Sequence, residues 1–175
     1  VRFDTGISLY VEGTLQAVGR SDAPITMTAT RAPWGGIFIR PRGVVLFEST
    51  TISRAGAMAT TLYAESASLT MRNTTLNNNT GQMIIKNGVT TMQQSVLRDN
   101  TLPYGAMLDV SVTDGATVVV ENSRIGPNTQ AEGGSTVAVA IPNAGSTMRM
   151  TLSGSIFTSS SGTNVLVNKI GRAHV

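Results

Sequence analysis

Val45-Leu46-Phe47-Glu48-Ser49-Thr50-Thr51-Ile52 is an alternating strand, a polar corner and a second apolar anchor. The plan returns four times, as Leu69-Thr70-Met71-Arg72-Asn73-Thr74-Thr75-Leu76, Thr90-Thr91-Met92-Gln93-Gln94-Ser95-Val96-Leu97, Val118-Val119-Val120-Glu121-Asn122-Ser123-Arg124-Ile125 and Met150-Thr151-Leu152-Ser153-Gly154-Ser155-Ile156-Phe157. The anchors at 52, 76, 97, 125 and 157 are spaced by 24, 21, 28 and 32 residues. Period-2 alternation inside a repeat of this length belongs to a stacked solenoid, because one unit cannot bury its apolar face alone.

Working outward, a first strand precedes each repeated strand: Leu62 to Ala64, Met83 to Ile85, Leu108 to Val110, Val137 to Val139, Val165 to Val167. The inward rows are then Phe47, Met71, Met92, Val120, Leu152 and Val45, Leu69, Thr90, Val118, Met150. Coil lengths vary because surface turns absorb insertions, as between Pro127 and Ser135. The spacing predicts an all-β, right-handed parallel β-helix of about six to seven coils, a rod about 30 Å long. Three residues past the anchors come Ala55, Asn79, Asn100, Asn128 and Ser160. Asn79, Asn100 and Asn128 are expected to form a structural ladder at a sharp corner, where Asn tolerates left-handed backbone and its amide reaches the next coil.

The composition agrees with β-rich structure. Of 175 residues, 41% are apolar, enough for a continuous core, while only 13% are charged. No run approaches the roughly 20 apolar residues of a membrane span. The absence of Cys excludes disulfides and thiolate metal sites and leaves the redox compartment open.

The two ends carry an expectation of their own. The chain opens at Val1 in mid-repeat, and Ile170-Gly171-Arg172-Ala173-His174-Val175 is what one frame of a common sequencing adapter encodes. Residues 1–168 are therefore expected to be a β-helix fragment truncated at both ends, with 169–175 an assembly scar. Without Arg172, Lys169 and the single His the chain is near neutral, which gives no argument for a nucleic-acid partner. Cut ends expose strand edges, so end-to-end association is expected.

Leu9-Tyr10-Val11-Glu12-Gly13-Thr14-Leu15-Gln16-Ala17-Val18-Gly19, then Asp22-Ala23-Pro24-Ile25-Thr26-Met27-Thr28, then Trp34-Gly35-Gly36-Ile37 resemble a pattern of bacterial right-handed parallel β-helix repeat proteins, of the pectin-lyase-like superfamily. The resemblance covers residues 5–168 and implies a bacterial secreted or cell-surface location. It leaves activity open, because this superfamily spans lyases, hydrolases and non-enzymatic surface proteins.

Candidate chemistry is sparse. Trp34 is either a platform for a sugar ring or a lid on the edge of the core. Arg40 and Arg42 flank Pro41 and are candidates to receive a uronate carboxylate. Asp109 and Asp114 bracket a turn and are the nearest approach to a Ca²⁺ pair; no other cofactor is expected. A glycosidase needs two carboxylates within about 5–10 Å. Glu48 and Glu121 share an outward column, but Arg72 and Gln93 lie between them, about 14 Å of coil rise. The motifs that mark polygalacturonases of this fold (Asn-x-Asp, Asp-Asp, Gly-His-Gly, Arg-x-Lys) are absent, so no catalytic residue is assigned.

Two functions from different classes stand. One is a non-enzymatic segment of a large secreted or cell-surface protein, acting as stalk, adhesin or glycan-contacting scaffold, with carbohydrate or cell-surface components as partners. The other is a fragment of a polysaccharide lyase or glycoside hydrolase whose catalytic residues lie outside these coils. A plain spacer is the third.

Overall fold

The computed structural model describes residues 1–130, 134–143, 145–158 and 163–169. These contain strands and no helix. Ser160 of the Asn row and residues 170–175 of the expected scar lie outside the described residues. The chain coils through three parallel faces. Face one stacks Ser8–Val11, Gly36–Ile39, 62–65, 83–86, 108–111, Val137–Ile141 and Val165–Lys169. Face two stacks Thr14–Val18, Val44–Glu48, 68–72, 88–93, 115–121 and Thr147–Ser153. Face three stacks Arg2–Phe3, Ile25–Ala29, Thr50–Ser53, Thr75–Asn77, Val96–Arg98, Arg124–Ile125 and Ile156–Phe157.

The register follows the repeat. Val45 pairs with Leu69, Leu69 with Thr90, Thr90 with Val118 and Val118 with Met150. The anchors stack as Ile52, Leu76, Leu97, Ile125 and Phe157. Alternation makes every second residue an inward one, so Phe47, Met71, Met92 and Val120 are buried as one column. One continuous core results, to which all three faces contribute side chains.

Two polar ladders bind the coils at their corners. Between faces two and three, Thr50, Thr74, Ser95, Ser123 and Ser155 stand in line. Each hydroxyl donates to the carbonyl two residues earlier, at 2.8 to 3.0 Å. The hydroxyls of Ser95, Ser123 and Ser155 accept from the backbone N–H of the preceding coil, each at 3.1 Å. After face three, the Oδ1 atoms of Asn79, Asn100 and Asn128 accept from the N–H groups of Ala55, Asn79 and Asn100. Their Nδ2 groups donate to the carbonyls of Ile52, Leu76 and Leu97. All three Asn are buried, so these bonds satisfy groups that water cannot reach.

The left-handed corner sits one residue earlier than the Asn row. Arg54, Asn78 and Asp99 have φ of 56°, 52° and 56°; in the next coil Pro127 takes this place and the left-handed residue is Gly126, one position earlier, at φ 104°. The reason is economy of geometry: the residue before turns the backbone, which frees the Asn side chain to run along the rod axis. Gly56 shows how tight this region is. Its φ is 97°, and a Cβ there would strike the Thr80 carbonyl of the next coil.

Candidate functional site

Trp34 is not a platform. It is fully buried, its ring stacks on Phe3 at 4.1 Å and 9°, and its Nε1–H donates to the Ser53 carbonyl at 2.9 Å. A parallel bridge to Ala55 places it beside the Asn ladder, where it fills the core beneath Phe3. The expectation of a sugar-binding role for Trp34 is corrected accordingly, since both its apolar body and its polar tip are already partnered.

An outward aromatic column lies elsewhere, on face one. Leu9 and Val11, Ile37 and Ile39, and Leu62 and Ala64 point inward on face one, so Tyr10, Phe38 and Tyr63 point outward in one column. Tyr10 stacks on Phe38 at 5.3 Å and Phe38 leans on Tyr63 at 6.2 Å. Phe38 and Tyr63 are half-buried in this stack. Tyr10 is 52% exposed, and the Arg40 guanidinium lies 5.0 Å from its ring centroid. Arg42, also exposed, holds a left-handed turn at φ 70°, and its N–H donates to the Ser66 carbonyl of the next coil.

Charged groups flank the stripe two residues further along each strand. Glu65 and Lys86 pair at 3.1 Å in the column that follows Arg40. The hydrogen bond that Lys86 Nζ donates to Glu65 Oε1, with Coulombic help from Tyr63 and Glu65, raises the Lys86 pKa, so its ammonium stays charged and is unsuited to accept a proton. Below Tyr63 the outward column continues through Ile84 to Asp109. Burial pushes the Asp109 carboxyl up, and a hydrogen bond with Gln82 offsets part of this.

Asp109 and Asp114 do not converge. Both belong to the strand Leu108–Glu121, with Asp109 paired into face one and Asp114 in the exposed corner that bulges out of register. Among the described residues, no group of three His, Cys, Asp or Glu side chains is placed to hold a metal ion. Glu48, Arg72, Gln93 and Glu121 form one outward column on face two. Three of its members are joined, Arg72 to Gln93 at 3.3 Å and Gln93 to Glu121 at 2.9 Å.

Asp109 carries a pH prediction. A carboxyl whose folded pKa is raised above 3.8 favours folding when protonated, so its contribution is complete in acid and is lost as pH rises through the raised value. Asp109→Asn is therefore expected to be more stable than the parent at neutral pH, by less than about 1 kcal/mol after solvent screening. The difference should vanish below the ordinary carboxyl range, as read by urea melts across pH.

The stripe was open to sequence reading, since the inward assignment of Leu9, Val11, Ile37 and Ile39 fixes Tyr10 and Phe38 as outward. A tryptophan draws attention by rarity, whereas the phase of alternation is what decides exposure. No curated protein and no solved structure matches the chain. Residues 25–173 match the family model described as right handed beta helix region. With stacked parallel faces, a continuous core and this match over most of its length, the chain belongs to the right-handed β-helix family.

Proposed function

We propose that this chain is a non-enzymatic, rigid segment of a larger bacterial secreted or cell-surface protein, which meets carbohydrate along face one. The observation that carries the reading is the outward column Tyr10, Phe38 and Tyr63 with Arg40 and Lys86 beside it. Sugars present apolar C–H surfaces together with hydroxyls, and the exposed Tyr10 ring at the end of the stripe, with charged donors beside it, matches both. Stacked corners support the scaffold half of the proposal, because hydrogen bonds and packed rings fix the spacing of these groups without help from a ligand.

Tyr10→Ala and Arg40→Ala, separately, should each weaken retention in gels cast with neutral or uronate polysaccharide, by about fivefold or more for a single lost contact of about 1 kcal/mol. Parent protein that migrates unretarded through every polysaccharide tested would sink the carbohydrate half.

Asp109 favours a second reading, part of a lyase or hydrolase. A carboxyl with raised pKa on an outward face suits a general acid. Its weakness is the partner: Glu65, on the same face, is held by Lys86. Chain cleavage of a polysaccharide that is abolished in Asp109→Asn would establish this reading in place of the first.

A further inference from the structure

Asn87 precedes Gly88 at the corner between faces one and two. An Asn-Gly pair is the sequence most open to deamidation, because glycine has no side chain to hinder attack by its own backbone nitrogen. In that reaction the Gly88 nitrogen loses its proton to solvent base and bonds to Asn87 Cγ. The Cγ–Nδ2 bond then breaks and ammonia leaves, which gives a succinimide. Water opens the ring at either carbonyl, to aspartate or isoaspartate. The net change is side-chain amide plus water to carboxylate plus ammonium.

The fold holds every atom of this amide elsewhere. Asn87 Oδ1 accepts from the N–H groups of Thr113 at 2.9 Å and Asp114 at 3.1 Å, both on the next coil. Its Nδ2 donates to Thr113 Oγ1 at 3.0 Å. The residue is only 9% exposed and sits at φ 62°. Asn143 braces the same corner from the coil beyond, since its Nδ2 donates to the Thr113 carbonyl at 3.0 Å. Swinging Cγ onto the Gly88 nitrogen breaks all three Asn87 bonds together.

We propose that Asn87 is a modification site gated by coil stacking: it deamidates only when residues 113–114 have come away from it. The products then differ. An aspartate keeps an oxygen for the two N–H donors, so the corner closes again. An isoaspartate adds a methylene to the backbone at a left-handed corner and shifts the register of Lys86 and Gly88 against the coils on either side. The rod thereby carries a chemical record of opening at this corner.

The test follows the mass of the peptide that contains Asn87 during incubation in warm neutral buffer, for the folded chain and for the chain in urea. Deamidation is expected to be at least about tenfold slower in the folded chain, as for any reaction that needs local opening. Thr113→Val, which removes the Nδ2 acceptor, and Asn143→Ala, which removes the brace, should each speed the folded-state reaction. The second substitution is exposed and keeps the test decisive if the first fails to fold. Equal rates folded and unfolded, or a folded rate unmoved by Asn143→Ala, would overturn the proposal.

Discussion

Asn100→Ala is expected to lower the unfolding free energy by about 3 kcal/mol or more, read as a large fall in the urea midpoint. The side chain is 1% exposed and serves both neighbouring coils. Its Oδ1 accepts from Asn79 N–H at 3.0 Å and Asn79 Nδ2 at 2.9 Å, and its Nδ2 donates to Leu76 O at 3.0 Å and Asn128 Oδ1 at 2.9 Å. Alanine leaves several buried groups without partners at once, and each costs about 1–3 kcal/mol. Asn100→Asp separates shape from chemistry. It fits the space and keeps an acceptor, but it points a second oxygen at the Leu76 carbonyl and Asn128 Oδ1. It should be no more stable than the alanine variant at neutral pH, and recovery in acid would show that charge is the cause. A midpoint unchanged in both variants would mean that the ladder holds nothing.

The strength of this ladder explains why so much of the fold was legible. A solenoid repeats one local solution, so a single strand such as 45–47, once recognised, fixes the phase of its neighbours 69–71, 90–92, 118–120 and 150–152, all of which stack as read. The column of Asn at 79, 100 and 128 was visible for the same reason. The Ser/Thr ladder was less so, because a polar corner is ordinary in sequence. Only geometry shows that Ser95 Oγ donates within its own coil and accepts from Thr74 in the one before. The outward surface repeats least, since selection for packing does not act on it. Phe38 and Ile84 occupy one outward column, yet the same column holds Asp109 further along. Arg40 over Tyr10 joins residues thirty positions apart, which no local spacing indicates.

Trp34→Ala is expected to cost about 3–5 kcal/mol, the usual range for emptying a buried tryptophan site. The loss should be local at first. In a stacked rod each coil is held chiefly by its neighbours, so the coils around Phe3, Trp34 and Ala55 should open before those around Val118, and the unfolding curve should broaden or split. Trp34→Phe keeps a ring against Phe3 but removes the donor to Ser53 O and part of the buried volume, which predicts a loss of about 2–3 kcal/mol, milder than that of alanine. The pair also decides between the two roles that an isolated tryptophan suggests. If Trp34 acts only from inside, Trp34→Phe retains full polysaccharide binding while Tyr10→Ala, which disturbs no buried atom of the core, loses it. Binding lost in Trp34→Phe with the fold intact would place the sugar contact at the Trp34 edge of the rod, against its complete burial here.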